Sequence, residues 1–120
     1  MSDQRDSLLV LRDQLRVFVA ERDWSQFHTP KNLASALSVE AAELLEPFQW
    51  LPTGQQSELD EHAQTNIRHE MADVLNYLIM LADQLNVDLF TTAQEKITLN
   101  ALKYPAQQVH GDARKYTEYE

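Results

Sequence analysis

The sequence predicts an all-α fold, and three observations carry that expectation. Glycine is scarce, with two in 120 residues. Apolar residues recur every three or four positions rather than in alternation, which is the period of one helix face. Residues that favour helix starts, Thr29-Pro30 and Asp88, stand just ahead of periodic runs.

Four helices are expected. The first spans roughly Ser7 to Arg22, with Leu8, Leu11, Leu15, Phe18 and Val19 as its apolar stripe. A loop from Asp23 to Thr29 carries Trp24, Phe27 and His28. The second helix begins at Thr29-Pro30 and ends near Pro47, and Trp50-Leu51-Pro52-Thr53-Gly54 is the clearest break in the chain. The third begins near Ser57, where Ser57 and Asp60 resemble a capping box, and runs to about Leu85. Glu58, Asp60 and Glu61 would suit the positive end of its macrodipole. Asp88 caps the fourth, which ends before Pro105. Residues 1–105 are read as one domain, and 106–120 as a polar tail without fixed structure.

Composition narrows the function classes. A net charge of −9 argues against binding a nucleic-acid polymer. No cysteine is present, which excludes disulfides and thiolate metal sites and suits the cytoplasm. The first residues show no signal-peptide pattern, and no apolar run approaches membrane-spanning length. Two glycines leave no phosphate-cradling loop, so any triphosphate must be held through metal and side chains.

Two acidic motifs supply the chemistry: Glu40-Ala-Ala-Glu43 and Glu70-Met-Ala-Asp73. Carboxylates three residues apart share one helix surface. Two such helices side by side converge four anions, an arrangement that calls for a cation. All-oxygen donors point to a hard ion, Mg2+ or Mn2+, and an open Mg2+ site suits a phosphate substrate. At about 100° per residue, Glu40 falls at the edge of the stripe Leu33, Leu37, Ala41, Leu44 and Phe48, and Glu46 points away from it. Glu70, Asp73 and Tyr77 flank the stripe Ile67, Met71, Val74, Leu75, Leu78 and Leu85. Val74 to Ala82 is apolar nearly all round, which predicts burial on more than one side and an interface between subunits. The plain alternative is that such acidic pairs are solvated helix surface.

Further segments bring a family into view. Arg22-Asp23-Trp24-Ser25-Gln26-Phe27-His28-Thr29-Pro30-Lys31-Asn32-Leu33 precedes the first motif, and Phe48-Gln49-Trp50 follows it. Asp73-Val74-Leu75-Asn76-Tyr77-Leu78 continues the second. Lys96, Asn100 and Lys103-Tyr104-Pro105 mark the last helix, and Arg114-Lys115-Tyr116-Thr117-Glu118 the tail. Taken in order, these resemble the all-α nucleotide pyrophosphohydrolases of the MazG type, in the branch that acts on dCTP. The resemblance implies a four-helix protomer that assembles into dimers or tetramers. It implies hydrolysis of a nucleoside triphosphate between the α and β phosphates. It makes Glu40, Glu43, Glu70 and Asp73 the Mg2+ ligands.

Glu40 and Glu43 are the expected catalytic carboxylates, with Glu40, nearest the apolar stripe, as general base. A direct ligand role is equally open for Glu40. Trp24, Trp50 and Tyr77 are candidates for stacking on the base. A tryptophan near a helix end also serves as a hydrophobic plug, and the resemblance favours stacking for Trp24 and Trp50. His28, Asn32 and Asn100 are candidates for base or sugar contacts. Lys96 and Lys103 share a helix face and are candidates to meet the triphosphate, the alternative being ordinary solubilising charge, and Tyr104 is a further candidate substrate contact. By the resemblance alone, Arg114 and Lys115 fold over the phosphates of the same or a neighbouring protomer.

The expected activity is therefore hydrolysis of dCTP, or a modified dCTP, to the monophosphate and pyrophosphate. The competing readings are a dUTP or broad dNTP pyrophosphohydrolase, and a non-catalytic acidic helical module. A di-iron bundle is disfavoured, because that site wants Glu-x-x-His pairs.

Overall fold

Asp6 opens the first helix, its carboxylate accepting the Leu8 N–H at 2.9 Å. The computed structural model describes residues 6–113, and every regular element among them is helical. The helices are α1 (Ser7–Glu21), α2 (Pro30–Leu45), α3 (Glu61–Gln84), α4 (Leu89–Lys103) and α5 (Ala106–Val109). The all-α expectation holds. The chain divides after Val87 into two compact units, the first holding α1 to α3 and the second α4 and α5.

Side-chain caps set most of the boundaries. Thr29 accepts the Asn32 N–H ahead of α2, with Pro30 in the first turn, and Asp88 accepts the Thr91 N–H ahead of α4. The start of α3 differs from the expected one. Asp60 is itself the cap, accepting the Ala63 N–H at 2.8 Å, so the helix begins at Glu61 rather than near Ser57. Residues Gln56–Glu58 form a separate 3-10 turn. Glu58 does not serve the α3 dipole: one of its oxygens accepts from the Thr53 N–H, the Thr53 hydroxyl and the Gly54 N–H. Burial works to raise the Glu58 pKa, but these hydrogen bonds outweigh it and the net shift is downward. Gly54 needs its freedom here, since it sits at φ +77° and a Cβ would come within 2.8 Å of Phe48 Cδ1. The tail expectation also changes, because Ala106–Val109 form one helical turn.

Within the first unit, α2 and α3 pack along their lengths and α1 lies on α3 more loosely. Leu33, Ile67, Ile79 and Ala82 are the buried apolar residues, and α1 has none. Leu8, Leu11, Leu15 and Val19 are half-buried, and an ion pair ties α1 to α3. Arg16 donates from Nε to Asp83 Oδ2 at 2.8 Å and from Nη2 to Asp83 Oδ1 at 2.6 Å. That fork holds the Asp83 carboxyl below its usual range.

Both acidic helices turn differently from the expected stripes. On α2 the less exposed residues are Leu33, Ala36, Leu37, Glu40, Glu43 and Leu44, while Ala41 is exposed. On α3 they include Ala63, Ile67, Glu70, Val74, Tyr77 and Leu81, while Met71, Leu75, Leu78 and Leu85 are exposed. Glu40 and Glu70 therefore lie within the packed faces, not at their edges. A wheel drawn through every apolar residue averages over more than one apolar face and misplaces the contact line.

Candidate functional site

Helix α2 brings Glu40 and Glu43, one turn apart, against Glu70 of α3. One carboxylate oxygen from each lies within 4.8 Å of those of the other two. All three residues are half-buried. The second oxygens of Glu40 and Glu70 are buried and have no hydrogen-bond partner. Ionised carboxylates cannot donate to each other, so this cluster carries repulsion and desolvation together. A proton taken up by Glu40 is shared with Glu70. That bond is the largest cause of a rise in the Glu40 pKa from 4.5 to about 7, followed by desolvation and then by Glu43.

The donor set tests well against a hard divalent cation. It is all oxygen, it is anionic, and two of its buried oxygens lack a protein partner. Asp73 stands outside the triad. It is exposed, one turn beyond Glu70, and lines a cavity of about 410 Å³ between α1 and α3.

That cavity sorts the remaining sequence candidates. Trp24, His28, Asp73 and Tyr77 line it. Trp24 meets Phe18 edge-on at 5.8 Å and is tilted against His28 at 6.5 Å between centroids, so the loop after α1 is fastened to that helix by its rings. Asp23, at φ +52°, turns the chain into this loop. His28 also lines a second cavity of about 230 Å³, bordered by Arg16 and Asp83.

Other candidates stand elsewhere. Asn32 is outside the cavity lining and gives its amide N–H to the Phe27 carbonyl at 2.9 Å, closing the loop ahead of α2. Trp50 follows α2 and is 87% exposed. Lys96, Asn100, Lys103 and Tyr104 belong to the second unit, on α4 and at its C-cap. Arg114 and Lys115 lie outside the described residues. The cavity also draws in residues the sequence reading left unassigned: Gln14, Leu15, Phe18, Val19, Asn76 and Met80. Asn76 carried a signal, since it is a polar residue inside a run that is apolar nearly all round. The α1 residues carried none, because their side of the cavity exists only through packing on α3.

Comparison with known proteins agrees with this geometry. The MazG-like family profile matches residues 35–119. Human dCTP pyrophosphatase 1 is 42% identical over 103 residues, covering 84% of this chain and 61% of that protein. The rat protein of the same name is 43% identical over 105 residues, with the same coverage. The chain thus spans about three-fifths of the length of these curated relatives. A pyrophosphatase from Archaeoglobus fulgidus superposes with a TM-score of 0.78 at 38% identity, over 88% of this chain and 98% of that one.

Proposed function

The chain belongs to the MazG-like family, and from that membership we propose that it is a Mg2+-dependent pyrophosphohydrolase that cleaves dCTP to dCMP and pyrophosphate in the cytoplasmic nucleotide pool. The observation that carries the reading is the Glu40, Glu43 and Glu70 triad, whose Glu70 shares α3 with an aromatic-lined cavity. Identity of about two-fifths to the dCTP pyrophosphatases supports the choice of base.

Glu40, Glu43 and Glu70 would hold the cation, with Asp73 as the fourth carboxylate on the cavity side. When bound there, Mg2+ or Mn2+ would supply positive charge to offset that of the phosphates. Glu40 is the general base. It accepts a proton from water as that oxygen bonds to the α phosphorus, and the α–β bridging bond breaks with its electron pair leaving on pyrophosphate. Its raised proton affinity suits a base acting near neutral pH, though a bound cation pulls that affinity down. Trp24 and Tyr77 cover the base, and His28 closes the rim. Lys96, Asn100, Lys103, Tyr104, Trp50, Arg114 and Lys115 remain proposed substrate contacts, supplied by α4, the break after α2 and the tail.

Copies of the chain pair into a dimer or tetramer. The exposed row Met71, Leu75, Leu78 and Leu85 supports this, because an apolar row on a helix with two other faces engaged favours a partner. No described helix is long and apolar enough to cross a membrane.

The test is hydrolysis of dCTP with Mg2+, products separated by chromatography, beside Glu43→Gln. Release of dCMP and pyrophosphate, abolished in the variant, is the expected result. Release of dCDP and phosphate would mean that another bond is cut. No turnover of any dNTP would favour a binding module.

A further inference from the structure

We infer that Asn76 is a specificity-determining residue that hydrogen-bonds the polar edge of a pyrimidine base held in the α1–α3 cavity. The inference rests on the proposed reading of this cavity as the place of the base.

Asn76 lies on α3, six residues beyond Glu70, or about 9 Å along the axis. That separation is of the order of the distance from a nucleotide's α phosphate to its base. Asn76 is half-buried and lines the cavity. Its carboxamide has no hydrogen-bond partner among the described residues. Asp83, the next polar residue on the same side of α3, is fully engaged by the Arg16 fork. Half-buried at the cavity wall, the amide is left to water while the cavity is empty, and a ring that displaces that water must supply its hydrogen-bond partners. The placement makes sense for an amide completed by a ligand.

The chemistry of the ligand follows from the donors. A carboxamide presents one acceptor and one donor side by side. Cytosine presents the complement: its amino group donates to Oδ1 and its ring N3 accepts from Nδ2. Trp24 and Tyr77 supply flat apolar surface for the ring faces. No bond from the described residues fixes the amide, so it also meets uracil after a half-turn about its last torsion, with N3–H donating to Oδ1 and O4 accepting from Nδ2. Asn76 thus selects the polar edge of a pyrimidine without itself choosing cytosine over uracil.

The experiment pairs a change in the protein with a change in the substrate. Wild type and Asn76→Leu are assayed on dCTP, dUTP and the deoxynucleoside triphosphate of 2-pyrimidinone, which lacks the amino group. Wild type is expected to prefer dCTP to the pyrimidinone analogue by about tenfold in kcat/KM. Asn76→Leu loses that preference, raises KM for dCTP and dUTP alike by about tenfold, and keeps kcat. Thermal melting of Asn76→Leu, with Asn76→Ala as a second variant, separates loss of a contact from loss of fold. The same preference for dCTP over the analogue in folded wild type and variants would overturn the role of Asn76 while leaving the proposed reaction intact. Absence of any dNTP turnover by wild type would overturn both.

Discussion

Helix α3 has two engaged faces, and they are built on opposite principles. Toward α2 it is closed by apolar packing around Ile67 and Val74, with Glu70 set into that surface. Toward α1 it is tied by the Arg16–Asp83 fork and left open enough for the two cavities. The tight face holds charges at a separation they would not choose. The loose face leaves room for something flat. One helix therefore spaces the carboxylate triad from the aromatic-lined cavity.

Glu70→Gln should break this contrast most strongly. Activity is expected to fall by about a hundredfold or more, because a neutral amide replaces one of three convergent anionic oxygens. In metal-free protein the same change should raise the melting temperature, since it relieves like-charge repulsion in the packed face. Added Mg2+ should then stabilise wild type more than the variant. A variant that loses activity and melts lower in the absence of metal would show that Glu70 supports the packing rather than strains it.

Leu33→Ala probes the packing itself. Leu33 is 1% exposed, and the truncation should cost about 2–5 kcal/mol in denaturant unfolding. A cost under 1 kcal/mol would mean that the first unit relaxes around the gap.

The charged cluster can be sharpened by pH. Glu40 has a folded-state pKa raised from 4.5 to about 7, so the folded chain holds a proton that the unfolded chain has released. Its contribution is most favourable below about 4.5 and is lost as pH rises through about 7. Metal-free wild type should therefore weaken relative to Glu40→Gln between pH 4.5 and pH 7.5, followed by melting temperature. A constant difference between the two proteins would remove Glu40 from the titration.

The smallest effect belongs to the loose face. Arg16→Met should leave kcat unchanged and raise KM for dCTP by about threefold, as the α1 wall loses its fixed distance from α3. The exposed pair adds little to stability. What it does add is present above the ordinary aspartate range and lost as pH falls through the lowered Asp83 value. An unchanged KM would show that the α1 wall keeps its distance from α3 without this fork.

Local signals in the sequence were read well where one residue sets the outcome. Thr29 and Asp88 each cap the helix they precede, and the carboxylates of α2 and the first of α3 converge as their spacing suggested. Ser57 misled because Asp60 caps more directly and Glu58 is drawn back by Thr53 and Gly54. The rotation of α2 and α3 was misread because α3 offers apolar side chains in three directions, and composition does not say which direction a neighbour will occupy. The cavity was illegible for a related reason. It depends on α1 meeting α3 through a pair 67 residues apart, and no local pattern encodes that distance.

The Glu58 carboxylate gives the break after α2 an unusual temporal character. A segment with Pro52 and Gly54 outside any helix would ordinarily trade its amide hydrogens with water almost at once. Here the Thr53 and Gly54 amides end on one anionic oxygen, and the Gln55 N–H ends on the Thr53 hydroxyl at 3.3 Å. Three successive amides in a surface bend are thereby expected to exchange more slowly than those of a bare loop. The stretch that looks most like a protease target should then resist cleavage as the helices do, two residues beyond the exposed Trp50.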